Sequence, residues 1–326
     1  MTTRRNTLAA LLALCAVPLR GGSQPSAGMP RVGLLAVSSA GSTVSIEQIR
    51  KELRALGYVE GRNIHIDDRF LVRDYDQLAR AAEQLLGQNP AVILALGDTA
   101  TGIASKATAS VPIVGSTSTD PVRKGLAVSL SRPGKNVTGV LTASGGVTGK
   151  RLEIIKEAIP GLRRVVVLLN PGSAGEVAVV RDLGIAARQL DLEMRPIEVR
   201  SEGDFEAVVP AIAQARAGAL VAVSSTMFVA NRESLAKAIA KTRLPAIYAS
   251  ATIVEAGGLM SYGSNSNEVA QIRARQVDQI LKGARPGDIP FEQITKVELV
   301  VNLGTARALG IAIPQTLLLR ADRVID

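Results

Sequence analysis

The 326-residue sequence contains one cysteine, one histidine and no tryptophan, and aromatic side chains make up only 2% of it. The cysteine, Cys15, falls in an apolar stretch from Leu8 to Leu19 that follows Arg4 and Arg5 and precedes the small residues Gly21, Gly22 and Ser23. A basic start, a short apolar run and small residues form an export signal, so residues 1–23 are expected to be removed and the mature chain to lie outside the cytoplasm. The stretch is too short to span a bilayer. Arg4-Arg5 resembles a twin-arginine signal, but Thr3 and Asn6-Thr7-Leu8 depart from its fuller pattern, leaving the general secretory route open. Leu14 stands where a lipoprotein signal wants a small residue, which disfavours lipid anchoring through Cys15.

Without residues 1–23 no cysteine remains, which excludes a disulfide framework and a thiolate nucleophile. His65 alone could not anchor a usual zinc site, and its neighbours Ile64 and Ile66 mark it as a sheet residue. The formal charge of +9 loses Arg4, Arg5 and Arg20 on processing, leaving +6 scattered among acids. With so few rings to stack bases, this is a solvated basic surface and not a nucleic-acid groove. A GxSxG elbow is missing, and no GxGxxG follows the first strand, so hydrolase and dinucleotide sites are not indicated. Gly145–Arg151 (GGVTGKR) fails as a phosphate loop, with Ser144 in place of the first glycine and Arg151 in place of the magnesium-holding hydroxyl. No cofactor is expected.

What the chain does have is short apolar runs alternating with segments of helical period, the pattern of a parallel sheet covered by helices. Arg31–Val37 reads as a strand buried on both faces. Ser45, with Gln48 three residues on, is expected to cap a helix whose stripe is Ile46, Ile49, Leu53 and Leu56 and whose stop is Gly57. A strand over about Asn63–Asp67, a helix through Leu78, Ala82, Leu85 and Leu86, a strand at Ala91–Leu96, a helix from Asp98 and a strand at Val111–Gly115 follow.

The same order then recurs. Arg164–Asn170 repeats the first strand, Ala219–Val223 matches Ala91–Ala95, and Leu244–Ser250 matches Val111–Thr117, with proline second in each of the last pair. Three matches in order point to duplication, and so to two doubly wound α/β lobes. Asn136–Leu141 and Gly257–Tyr262 read as crossovers, followed by a helix with Val269, Ile272, Gln276 and Ile280 on one face and a last strand at Val297–Asn302. The expected partition is a first lobe of residues 30–141 and 264–296, a second of 142–263 and 297–326, and a multi-strand hinge between them.

Ligands of open α/β sheets bind beyond the carboxyl ends of the strands. The polar residues there are Ser38, Ser39, Asp98, Thr99, Ser116, Thr117 and Asp120 in the first half, and Asn170, Ser224, Ser225, Thr226, Tyr248 and Tyr262 in the second. Hydroxyls and helix N-termini suit carboxylates and neutral polar groups, and Asp98 or Asp120 could balance an ammonium, so an amino-acid-like ligand would fit. Asp98 also reads as a simple cap, and Asp120 before Pro121 as a cap with proline in the first helical turn.

Gly57–Asn63 (GYVEGRN), Asp120-Pro121-Val122 with Gly125-Leu126-Ala127, Ser131–Gly139 (SRPGKNVTG), and the closing Val301-Asn302-Leu303, Ala308-Leu309-Gly310 and Leu317–Arg323 carry a resemblance that covers nearly the whole mature chain. The sequence resembles the ABC transporter substrate-binding proteins related to tryptophan- and tyrosine-binding members. That resemblance implies a type I periplasmic binding protein fold, a Venus flytrap that closes on a small molecule, with no enzymatic step. It also implies a monomer that hands its ligand to a membrane permease. The sequence departs from some relatives at Ser38–Thr43, which lacks a His-Pro element, and after Val223, where an acidic residue is often seen. The alternative is an extracytoplasmic ligand-sensing module of a regulatory system.

Overall fold

The computed structural model describes residues 28–38, 44–142 and 145–326. The signal segment, Cys15 and Ser39 lie outside the described residues. The strands are β1 (Arg31–Val37), β2 (His65–Asp67), β3 (Leu71–Val72), β4 (Val92–Ala95), β5 (Ile113–Thr117), β6 (Val137–Leu141), β7 (Arg164–Leu169), β8 (Glu193–Glu198), β9 (Ala219–Ala222), β10 (Ala246–Tyr248), β11 (Met260–Ser264), β12 (Glu292–Gln293), β13 (Val297–Asn302) and β14 (Arg323–Ile325). They form two sheets, ordered β12-β6-β5-β4-β1-β2 with β3 also on β1, and β14-β13-β11-β10-β9-β7-β8. The run β6-β5-β4-β1-β2 matches β11-β10-β9-β7-β8 position for position, so the repeat seen in sequence is a repeat of topology.

The helices are α1 (Val44–Ala55), α2 (Leu78–Leu86), α3 (Asp98–Ala107), α4 (Gly145–Ala158), α5 (Ala174–Gln189), α6 (Asp204–Gln214), α7 (Thr226–Ala230), α8 (Arg232–Thr242), α9 (Ala251–Glu255), α10 (Ser266–Leu281), α11 (Leu303–Leu309) and α12 (Gln315–Arg320). Alternation along β1 sends Val32, Leu34 and Ala36 to a core shared with Ile49 and Leu53 of α1 and Ala274 and Val277 of α10, while Leu35 and Val37 join Leu78 and Leu85 of α2 on the other face. Each fully buried Leu or Ile contributes about 1.5–3 kcal/mol. Among the described residues no helix is long and apolar enough to cross a membrane.

Several local expectations shift. Ser45 lies inside α1 and does not cap it, and Gln48 donates instead to Ser266 Oγ (3.1 Å), tying α1 to α10. Leu56 falls past the helix end and is exposed, beside Gly57, whose φ of +91° makes the stop. The strand expected at Val111–Gly115 is Ile113–Thr117, because Pro112 can take no part as a ladder donor. Asp120-Pro121 opens a turn and not a helix, with Asp120 Oδ1 accepting from the Val122 amide (2.8 Å).

Strand β8 carries no clear apolar alternation because it is an edge strand, polar and holding Pro196. The strand at Val297–Asn302 is not the last, and it runs antiparallel. The chain returns to the second sheet at the end of β11, pairing Val297 with Ser264 and then Val301 with Met260, so it can only run backwards along β11. The chain passes between the sheets three times: from β6 to α4, which packs on β9, β10 and β11; from β11 to α10, which packs on β4, β5 and β6; and from β12 to β13.

Candidate functional site

The parallel strands put the N-termini of α3, α5, α7 and α9 at one end of each sheet, and residues from those two ends line a common space. Between them lies a cavity of about 160 Å³. The first sheet contributes Asp98 and Thr99 at the start of α3 and Ser116–Ser118 at the end of β5, and the second contributes Ser173 and Glu176 at the start of α5, Ser224, and Thr226 at the start of α7. Arg151 of α4 and Arg273 of α10 close it from the crossing segments.

The two walls touch. The Tyr75 hydroxyl donates to Glu176 Oε1 (3.2 Å) and lies 3.4 Å from Thr226 Oγ1. Glycine permits the approach at two points: a Cβ on Gly175 would lie 2.8 Å from Asp98 Cγ, and one on Gly97, whose φ is +96°, would lie 2.9 Å from Thr226 Cγ2. The walls of the cleft therefore meet beside its cavity.

Its charged groups differ sharply in their partners. Asp98 accepts from the Thr117 hydroxyl (2.7 Å) and the Ser118 amide (2.9 Å), and is also bonded by the Ser118 hydroxyl and ion-paired with Lys124. Burial alone would push this carboxyl up, but Lys124 and the hydroxyls hold it below its ordinary value. Glu176, 4% exposed, accepts from the Asn170 amide (2.7 Å) and from Tyr75, with no cation paired to it among the described residues, and burial pushes it up to about 7.

Arg151, 2% exposed, donates from Nε to the Tyr262 carbonyl (2.7 Å), while its Nη1 finds no acceptor among the described residues. Arg273, 8% exposed, has no acceptor for its Nε among the described residues. Burial pushes both guanidiniums down to about 10, so each remains a cation at neutral pH. Among the described residues, seven buried side-chain polar atoms lack a hydrogen-bond partner; three of them, Thr99 Oγ1, Arg151 Nη1 and Arg273 Nε, belong to residues lining this cavity. Three residues with an unmet polar atom around one cavity make it the place where a polar molecule would supply the missing partners. A wider groove of about 570 Å³, lined by Asp120, Arg123, Lys124, Arg181 and Asp182, carries none of those atoms.

The structure therefore brings Asp98, Thr99, Ser116, Thr117, Ser224 and Thr226 together, with Ser38 and Ser225 in an adjoining recess beside Arg273. It places four candidates elsewhere. Asp120 lies in the wider groove; Asn170 is 1% exposed and shapes its own loop, its Oδ1 accepting from the Gly172 amide and its Nδ2 donating to the Arg200 carbonyl. Tyr248 is 1% exposed and borders a separate recess beside Gly258 and Leu309, and Tyr262 reaches the site only through its carbonyl on Arg151. Asp98 is not free to balance an ammonium, because Lys124 already does so.

Sequence reasoning missed Tyr75, Arg151, Glu176 and Arg273. Arg273 did leave a signal, an arginine at helical spacing from Val269, Gln276 and Ile280 on the apolar face of α10. Arg151 sits likewise between buried Thr148 and Ile155 on α4. The shared sequence blocks, by contrast, build turns: Asn63 Oδ1 accepts from the Val59 amide and its Nδ2 donates to the Gly57 carbonyl, and Asn136 Nδ2 donates to the carbonyls of Thr108 and Val111.

A family model described as ABC transporter substrate binding protein matches residues 33–325. A tyrosine-binding protein of Clostridioides difficile is 24% identical over 259 residues, which is 79% of this chain and 74% of that protein. Among solved structures, a conserved domain protein from Vibrio cholerae has a TM-score of 0.82 at 27% identity, covering 91% of this chain and 100% of that one. An ABC domain from Streptococcus pneumoniae in complex with L-Trp has a TM-score of 0.80 at 23% identity, with the same coverage.

Proposed function

We propose that this chain, which belongs to the ABC transporter substrate binding protein family, is the periplasmic receptor of an importer and captures a small polar ligand between its lobes. The family is one of substrate-binding proteins and not of enzymes. One lobe is residues 30–141 with 264–296 and the other 142–263 with 297–326, and the three chain crossings are the hinge. Ligand first meets one wall and then gains contacts to the second on closure, and that gain drives the population to the closed form that a membrane permease reads. The protein works as a monomer.

The observation that carries this reading is the cavity lined from both sides by polar residues, three of which carry unmet hydrogen-bonding atoms. Asp98, Thr99, Ser116, Thr117, Ser224 and Thr226 are the contact residues we assign, with Arg151, Glu176 and Arg273 added to them. Amino-acid-like ligands are the first class to test, in keeping with the tyrosine and L-Trp named for the relatives. A cavity of about 160 Å³ with Tyr75 as the single aromatic in its lining favours a compact molecule over an indole; a cavity of about 150 Å³ is filled by benzene alone.

Thermal unfolding of the processed protein against amino acids, carboxylates, purines and sugars tests the reading. A true ligand at about 100 times its Kd adds about 2.7 kcal/mol of stability. A panel in which every compound leaves the transition unmoved removes the support for a receptor of small polar solutes.

A further inference from the structure

Resting on that receptor reading, we infer that the ligand is a small organic acid of net negative charge whose carboxylate groups pair with Arg273 and Arg151. Both guanidiniums are at least nine-tenths buried and line the cavity, and each keeps a nitrogen without an acceptor among the described residues. The recess around Arg273 is built by Val37, Ser38, Ser45, Leu96, Ser224 and Thr226 with other apolar residues, none of them acidic. Residues 39–43 and 143–144 read Ser-Ala-Gly-Ser-Thr and Ala-Ser, so they too hold no acid.

A buried cation loses its hydration and recovers the loss only from a close, well-bonded anion. Two such cations in one cavity leave a deficit of negative charge that the protein does not fill. The lining holds two carboxyls. Asp98 is already ion-paired with Lys124 and bonded by Thr117 and Ser118, and Glu176 is turned to the Asn170 amide and the Tyr75 hydroxyl. The flat fork of donors on arginine matches a carboxylate with two parallel hydrogen bonds, so a ligand carboxylate supplies both charge and geometry. A zwitterionic ligand would bring an ammonium group next to two arginines with no unengaged carboxylate to receive it. An acidic amino acid or a short dicarboxylate brings a surplus of negative charge instead.

The test is calorimetric titration of the processed protein at pH 7 with succinate, L-glutamate, L-glutamine, L-tyrosine and inorganic phosphate. Succinate or glutamate should bind at least tenfold more tightly than glutamine and tyrosine. Equal or tighter binding of glutamine or tyrosine overturns the charge assignment and leaves the receptor reading standing, and tight phosphate binding without the acids overturns the carboxylate. Silence from all five overturns this inference, and extending the silence to purines and sugars overturns the receptor reading as well. Arg273→Met gives an independent check. It should lose at least a hundredfold in acid affinity while the ligand-free protein unfolds at the same or a higher temperature, because an unpaired buried charge has gone. An R273M protein that is less stable yet binds acids unchanged would give the arginine a structural role and refute the proposal.

Discussion

Asp98 and Glu176 stand in the first turns of α3 and α5 on opposite walls of the cleft, yet their carboxyls are driven in opposite directions. Glu176 is buried and Asp98 largely so, and burial raises both. Asp98 has Lys124, Thr117 and Ser118 around it and ends below its ordinary value; Glu176 has a hydroxyl and an amide and ends near 7. A local cation thus decides the sign, and burial only sets what is at stake. On the first wall Asp98 already has its cation, whereas Glu176 on the second has none among the described residues.

Three changes would break or sharpen that contrast. The largest effect is expected from Gly175→Ala, which drives a methyl into Asp98 and so forces the two walls apart. Alanine is the better helix former, so α5 and its lobe stay folded. Ligand affinity should fall about a hundredfold, roughly 2.8 kcal/mol, with the ligand-free melting temperature unchanged. Titration of the variant checks this, and unaltered affinity would mean that closure does not need the Gly175–Asp98 approach.

Next is Lys124→Met, which turns the first wall into a copy of the second. Asp98 is then buried without its cation, its carboxyl rises, and the protein should lose about 2 kcal/mol at pH 7, read from denaturant midpoints. The loss should shrink on acidification as Asp98 takes a proton. A loss that stays constant with pH would assign it to packing.

The smallest is Glu176→Gln. A carboxyl raised from 4.5 to about 7 makes the folded state hold a proton that the unfolded state has released. Its stabilising share is therefore complete below about pH 4.5 and is lost as pH rises through 7. In the Gln variant the fall in stability between pH 5 and 8 should flatten by about 1–2 kcal/mol, measured as melting temperature across that range. An identical pH profile in both proteins would show that Glu176 keeps an ordinary carboxyl.

Reading the sequence went furthest where local rules suffice. Val32 to Val37 is apolar at each position except Gly33 because both faces of β1 are covered, and the recurrence of that strand as Arg164–Leu169 pointed to two similar lobes, whose sheets share a five-strand run. Edge elements were harder, since β8 and β14 are polar or brief and have no periodic face to show. In the cleft, the hydroxyl-rich strand ends at Ser116–Thr117 and Ser224–Thr226 were legible because strand ends point there by construction. Asn170 and Tyr248 satisfy the same pattern and still pack inward, because a loop conformation and a core volume claimed them first.

The sequence by itself determined the layered α/β architecture, its duplication and the end of each sheet at which polar groups gather, since these follow from periods of 2 and 3.6 and from parallel strand order. Only the tertiary structure decided the charge of the site. Whether Asp98 is paired with Lys124, whether Glu176 has a cation, and whether Arg151 and Arg273 meet an acid depends on which distant segments meet at a few ångströms. At that range a low-dielectric interior makes one neighbour's presence or absence the largest energy in the cleft.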